Sequence, residues 1–208
     1  MLHGCTQSPD DFARGTRMNE AAEKAGFLVA YPEQSRAHNI QSCWNWFRPE
    51  DQARDRGEPG ILAGIARDLL EEFGLADGRA FVAGLSAGGA MAAIMVDAYP
   101  DLFAAAGVHS GLPSGAASDV VSAFAAMRGE GNARPRPRPR QTPVIVFHGM
   151  ADATVAPVNG DRLVIGSGIE TRHEGNGRTW SRLVGSDGSE LWRVERAGHA
   201  SFPKRDDD

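Results

Sequence analysis

The sequence predicts an α/β fold with a mostly parallel central sheet and helices on both faces. Short apolar runs alternate with stretches of helical periodicity, Gly and Pro punctuate them, and the composition is that of a globular chain. The 208 residues, 41% hydrophobic and 24% charged with 25 glycines, suit one well-buried domain spanning 1–208. A net charge of −5 offers no general affinity for nucleic acid or anionic membranes. No apolar run reaches the ~18 to 20 residues of a membrane span. Neither nucleic acid, membrane nor an obligate protein partner is therefore expected. With Cys5 and Cys43 as the only cysteines, zinc cages and multi-disulfide frameworks are excluded as the basis of the fold, and no metal or cofactor is expected. One bridge, or two reduced core cysteines, remains open. The N-terminus as written lacks the basic, apolar and small-residue succession of a secretion signal.

In chain order, a helical stretch around Met18–Lys24 precedes the apolar run Phe27–Tyr31 (FLVAY), ended by Pro32 and read as a buried strand. From Pro59 to Phe73, Ile61, Leu62, Ile65, Leu69 and Phe73 recur at steps of three and four, with Gly74 as the stop. They predict an amphipathic helix packed on the sheet. Ala80–Gly84 is the next strand, Gly88–Ala98 a small-residue helix closed by Pro100, Phe103–Val108 a strand and Val144–Phe147 another. Between the last two lie a helix near Asp119–Met127 and the run Arg134–Arg140 (RPRPRPR), an extended solvated connector. Thr179–Val184 and Leu191–Val194 flank Gly185-Ser186-Asp187-Gly188, whose composition predicts a hairpin.

Gly84-Leu85-Ser86-Ala87-Gly88 fits G-x-S-x-G between a predicted strand and a predicted helix, the setting in which that motif presents a nucleophile. The glycines allow a sharp turn, and the helix N-terminus aims N–H groups where an acyl transition state gathers negative charge. A serine hydroxyl is a weak nucleophile at neutral pH. It needs a histidine to take its proton and a carboxylate to fix that histidine's tautomer. The expected chain order is Ser, then Asp or Glu, then His. Asp152 follows strand VIVF and His148-Gly149, on the same sheet edge as Ser86, whereas Asp161 lies in a later helical stretch and Asp187 at a hairpin tip. His3, His38, His109 and His148 precede Asp152, and His173 sits in a polar stretch. His199, in Ala197-Gly198-His199-Ala200 directly after a strand, is the expected base. Leu2-His3-Gly4-Cys5 resembles the His-Gly loop that follows the third strand of the α/β-hydrolase fold, so the oxyanion donors are expected to be Cys5 N–H and Ala87 N–H. The aromatic patch Trp44-Asn45-Trp46-Phe47 is either a substrate surface, with Trp44, Asn45 and Trp46 binding an acyl or aromatic ester, or buried core.

The chain as a whole resembles the polyhydroxybutyrate depolymerase type of esterase, near feruloyl and acetylxylan esterases among the α/β-hydrolases. The segments that carry the resemblance are LHGCTQSPDDFA at the start, CWNWF from Cys43, GLSAGGAM from Gly84, GVHSGLP from Gly107 and FHGMADATVAP from Phe147. The resemblance implies hydrolysis of short-chain hydroxyalkanoate or related esters through an acyl-enzyme by an exported, extracellular or periplasmic protein. It places the catalytic carboxylate on Asp152 and the base on His199, and it pairs Cys5 with Cys43. In the family further strands precede the His-Gly loop, where here only Met1 and Leu2 stand. The family also continues into a closing helix, where this sequence reads SFPKRDDD. Both ends are therefore expected to be truncated, leaving sheet groups unpaired and lowering solubility and activity. A peptidase or acyltransferase uses the same triad, and an inactive polyester- or carbohydrate-binding remnant would keep the aromatic patch.

Overall fold

A computed structural model of the chain describes residues 1–75, 79–130, 142–164, 168–175 and 177–199. The RPRPRPR connector and the terminal SFPKRDDD lie outside the described residues. Six strands form one sheet: β1 (Ala80–Leu85), β2 (Phe103–His109), β3 (Val144–Gly149), β4 (Gly168–Gly175), β5 (Arg178–Gly185) and β6 (Glu190–Val194), in the spatial order β1-β2-β3-β6-β5-β4. β1, β2, β3 and β6 run parallel, and the hairpin β5–β6 and strand β4 add an antiparallel flank. One face of the parallel strands is covered. Val82, Ala106, Val108, Val144, Val146 and Leu191 are buried on it. The opposite face is partly open, with Phe81 70% exposed and Ile145 and Phe147 also exposed.

Helix α4 (Ala87–Ala98) explains the covered face. Met91, Ala92, Ala93, Ile94, Met95 and Val96 are all buried, so this helix is apolar all round and sits inside the molecule. Its chief neighbours are β1 and β2 beneath it and α3 (Gly57–Glu72) beside it. The structure corrects the expected packing of α3. Ile61 is 65% exposed and Phe73 is exposed, while Pro59, Leu62, Ala63 and Leu70 turn inward against α4 and a 3₁₀ turn at Pro49–Gln52. The apolar stripe is real, but the small Ala63 lets the helix approach α4 on a face rotated from the one read by bulk.

Helix α5 (Val120–Met127) starts from Asp119, whose carboxylate accepts the Ser122 N–H at 2.8 Å in a capping box. Helix α6 (Val158–Asp161) is a single turn. Two elements lie outside the sequence reading. Helix α1 (Pro9–Thr16) begins at Ser8, whose hydroxyl accepts the Asp11 N–H, with Pro9 at its first position; this is a start signal without a long apolar stripe behind it. Strand β4 is exposed along its whole length, so it has no apolar alternation to betray it.

The expected strand Phe27–Tyr31 does not form. It follows α2 (Met18–Ala25) as a segment without regular secondary structure, with Phe27 46% and Leu28 58% exposed. A strand needs a ladder partner, whereas here Phe27 N–H still donates back to Ala22 O of α2 at 3.2 Å and Ala30 O accepts from the Met1 amino group at 2.8 Å. On the other side Leu2 bridges β1 in parallel, donating to Ala83 O at 2.7 Å and accepting from Leu85 N–H at 3.2 Å. Met1 and Leu2 thus stand between the Phe27–Tyr31 segment and β1. Among the described residues no helix is long and apolar enough to cross a membrane.

Candidate active site

Ser86 stands between β1 and α4 with φ 56° and ψ −117°, a strained conformation for a residue with a side chain. Its N–H donates to His109 O at 2.9 Å, which fixes the turn to the end of β2. The flanking glycines are required by contact. A Cβ on Gly88 would lie 2.1 Å from Leu2 O, and one on Gly84 would lie 2.3 Å from the Gly88 backbone. The strand, the helix start and the Leu2–Gly4 loop therefore converge within van der Waals range.

Asp152 lies three residues past β3 with its side chain buried. Its Oδ1 accepts the N–H groups of Thr154 and Val155, each at 2.9 Å. Its Oδ2 faces His199 Nδ1 at 2.8 Å, and His199 Nε2 stands 2.9 Å from Ser86 Oγ. Burial opposes ionisation of Asp152, but the Val155 N–H, His199 and the Thr154 N–H outweigh it and hold the carboxyl below its usual range. His199 reaches this position because the segment after β6 docks on the one after β3. Ala151 N–H donates to Ala197 O at 2.9 Å and Met150 N–H to Val194 O at 2.9 Å. Gly149 makes the docking possible, since a Cβ there would lie 2.3 Å from Ala197 O.

Two further histidines surround this relay. Burial pushes His109 down to about 4 and also lowers His148, so both are neutral at neutral pH. Of the histidines, His199 is the one bonded to both Ser86 and Asp152.

Cys5 and Cys43 form a disulfide. Gly4 packs on Leu85, the residue before Ser86, so Cys5 follows close to the Ser86 turn, while Ala87 is the first residue of α4, whose leading N–H groups have no helical acceptor. Trp44, Asn45 and Trp46 are 4%, 3% and 6% exposed. This corrects the substrate-surface reading in favour of buried core, because the rings are taken up internally. Trp44 Nε1–H donates to His3 O at 3.0 Å, and Trp46 packs edge-on against Phe47. The sequence reading missed Glu58, whose carboxylate accepts from Asn45 N–H at 2.7 Å and from the side chains of Asn45 and Gln34. Gln34 N–H in turn donates to His3 Nε2 at 3.1 Å, so Glu58 anchors the loops that brace His3-Gly4-Cys5. The signal available in the sequence was an acidic residue at the start of a predicted helix, which reads equally as dipole compensation. A polar depression of about 430 Å³ lined by Thr6, Gln7, Asp11, Glu33 and Arg36 opens beside the same loop. Among the described residues no group of His, Cys, Asp or Glu is placed to hold a metal ion.

The model of the family described as esterase PHB depolymerase matches residues 1–169, which include Ser86 and Asp152. The chain belongs to this family. It is 32% identical over 175 residues to poly(3-hydroxyalkanoate) depolymerase C of Paucimonas lemoignei, covering 78% of this chain and 42% of that protein. It is 28% identical over 176 residues to a probable acetylxylan esterase A of Aspergillus fumigatus, covering 76% of this chain and 47% of that one. The chain thus spans less than half the length of either relative. The acetyl xylan esterase from Aspergillus awamori superposes with a TM-score of 0.76 at 20% identity, over 95% of this chain and 81% of that structure, which establishes the shared α/β-hydrolase fold.

Proposed function

We propose that this chain carries the catalytic core of a serine carboxylic-ester hydrolase that works through an acyl-enzyme on short-chain hydroxyalkanoate or related esters. The observation that carries the reading is the unbroken line from Ser86 Oγ through the His199 ring to Asp152 Oδ2, with 2.9 and 2.8 Å links. In this reading His199 Nε2 takes the hydroxyl proton as Ser86 Oγ attacks the ester carbonyl. Asp152 orients the ring and stabilises the imidazolium. The oxyanion is met by the N–H groups of Cys5 and Ala87. His199 then returns the proton to the leaving alcohol, and a water activated by the same histidine releases the acid.

The hydroxyalkanoate preference is supported by the name of the Paucimonas relative. A feruloyl- or acetylxylan-type ester is the second reading, favoured by the polar depression beside Cys5, where a hydroxyl-rich alcohol portion finds hydrogen-bond partners. An extracellular or periplasmic location is supported by the Cys5–Cys43 bridge, since disulfides persist in oxidising compartments.

The test is labelling by a fluorophosphonate together with turnover of a panel of hydroxybutyrate oligomers, acetylated xylan and feruloyl esters. Labelling lost in Ser86→Ala, with hydrolysis of at least one ester, is expected. An unlabelled, inactive chain that still retains polyester or polysaccharide on pull-down would replace the enzyme reading with a binding remnant.

A further inference from the structure

His148, the fifth residue of β3, lies 1% exposed on the covered face of the sheet in line with Val144 and Val146. Its Nε2 stands 2.9 Å from Val155 O. A carbonyl only accepts, so Nε2 carries the proton and Nδ1 is bare. Nδ1 is buried and has no hydrogen-bond partner among the described residues. Gly160 of α6 closes on that edge of the ring, since a Cβ there would lie 3.0 Å from Nδ1 and 3.3 Å from Cγ. The same Nε2 lies 3.4 Å from Asp152 Oδ2, the oxygen that faces His199. Val155, whose carbonyl takes the His148 proton donor, gives its own N–H to Asp152 Oδ1 at 2.9 Å.

We propose that His148 is a positioning residue for the catalytic relay: its Nε2–H locks the 152–155 turn through Val155 O and sets a fixed dipole against Asp152 Oδ2. The inference rests on the reading of Ser86, His199 and Asp152 as a triad. The carboxylate that orients His199 is thereby held from both sides, with Oδ1 bound by the turn's own N–H groups and Oδ2 shared between His199 and the His148 dipole. Neutrality is essential to this role. A cation at His148 would compete with the imidazolium that forms on His199 during the reaction, whereas a neutral N–H steadies Asp152 and draws off only a small part of its charge. Burial keeps His148 neutral, because a proton on Nδ1 would meet no acceptor. The other titratable groups facing the cluster are His109 at the end of β2, itself neutral, and Asp161 of α6, already paired with Arg193 of β6 at 2.7 Å.

Without the His148 dipole more of the Asp152 charge acts on His199, so the imidazolium is favoured and the free base needs a higher pH. His148→Leu is therefore expected to lower kcat about 10- to 100-fold with KM held within about twofold, and to move the acid limb of the kcat/KM profile upward by about half a pH unit. His148→Gln, which keeps an N–H donor near the Nε2 position, is expected to recover most of both. Equal losses in the two variants with an unmoved acid limb would overturn the proposal and leave His148 a packing residue. Fluorophosphonate labelling of the wild-type chain separates failure of the triad reading from failure of this one. The geometry is also read without turnover, from the His148 ring N–H resonance in Asp152→Asn. Loss of the carboxylate charge is expected to move that resonance upfield, and an unmoved resonance overturns the proposal whether or not the chain hydrolyses esters or His148→Leu folds.

Discussion

At the scale of single residues, the proposed site joins three side chains, Ser86, His199 and Asp152, with glycines that let backbones touch. Ser86→Ala, His199→Ala and Asp152→Asn are each expected to lower ester hydrolysis roughly 10⁴-fold or more in an active form of the protein, since the three act as one unit. Initial rates on a short ester decide this, and near wild-type turnover in any variant would remove that residue from the mechanism. Gly149 is a subtler case because it touches no substrate. A Cβ there would lie 2.3 Å from Ala197 O and 2.5 Å from Gly198 O, so Gly149→Ala must push away the segment that carries His199. A displacement of about 1 Å is enough to cost about 100-fold in rate. The expected result is a fall of that size in kcat with the melting temperature changed far less than by a core truncation.

At the scale of elements, the His3-Gly4-Cys5 loop is held by a covalent and a polar brace. The Cys5–Cys43 bridge closes a loop with a sequence separation of 38, and its loss is expected to cost about 4 kcal/mol by chain entropy. Mass spectrometry of alkylated, non-reduced protein should find no free thiol, and reduction should lower the melting temperature. The polar brace is Glu58 in the first turn of α3, where burial outweighs the donors from Asn45 and Gln34 and raises its pKa to about 7. A raised carboxyl favours the folded state in its protonated form. Its contribution is therefore full below about 4.5, its unfolded value, and is lost as pH rises through about 7. The stability difference between wild type and Glu58→Gln is accordingly expected to be more favourable to wild type at pH 5 than at pH 8, by roughly 1–3 kcal/mol. Urea melts at the two pH values check it, and a pH-independent difference would show that Glu58 is solvated.

At the scale of the whole molecule, the sheet is unequally covered. One face lies under α4, and the other presents Phe81, Ile145 and Phe147 to solvent. An apolar patch of this kind binds hydrophobic dyes and favours association. Phe81→Thr is expected to reduce dye fluorescence and raise the soluble fraction while leaving the melting temperature nearly unchanged, because Phe81 is 70% exposed. A large drop in melting temperature would mean that the face is covered in solution.

Much of this was legible in the sequence because its causes are local. The glycines around Ser86, the apolar runs of β1, β2 and β3 and the turn between β5 and β6 each state their conformation within a few residues. Chain order and sheet-edge position singled out Ser86, Asp152 and His199, and the structure brings these three within hydrogen-bonding distance. What the sequence could not decide depends on contacts between distant segments. Phe27–Tyr31 has the apolarity of a strand, but a ladder is a property of two chains, and its neighbour here is Met1. The aromatic patch at Trp44–Trp46 has the composition of a binding surface, and only the packing of the His3 carbonyl on the Trp44 indole turns it inward. His148 was set aside by order, since it precedes Asp152, and only the fold of the 152–155 turn brings its ring proton between Val155 O and Asp152 Oδ2. The sequence by itself determined the strand-to-helix turn that carries Ser86 and singled out Asp152 and His199 as the residues proposed to act with it. The tertiary structure alone decided what holds them, because bracing groups meet through space, some four residues apart like His148 and Asp152 and others 38 apart like Cys5 and Cys43, so no single spacing rule marks them.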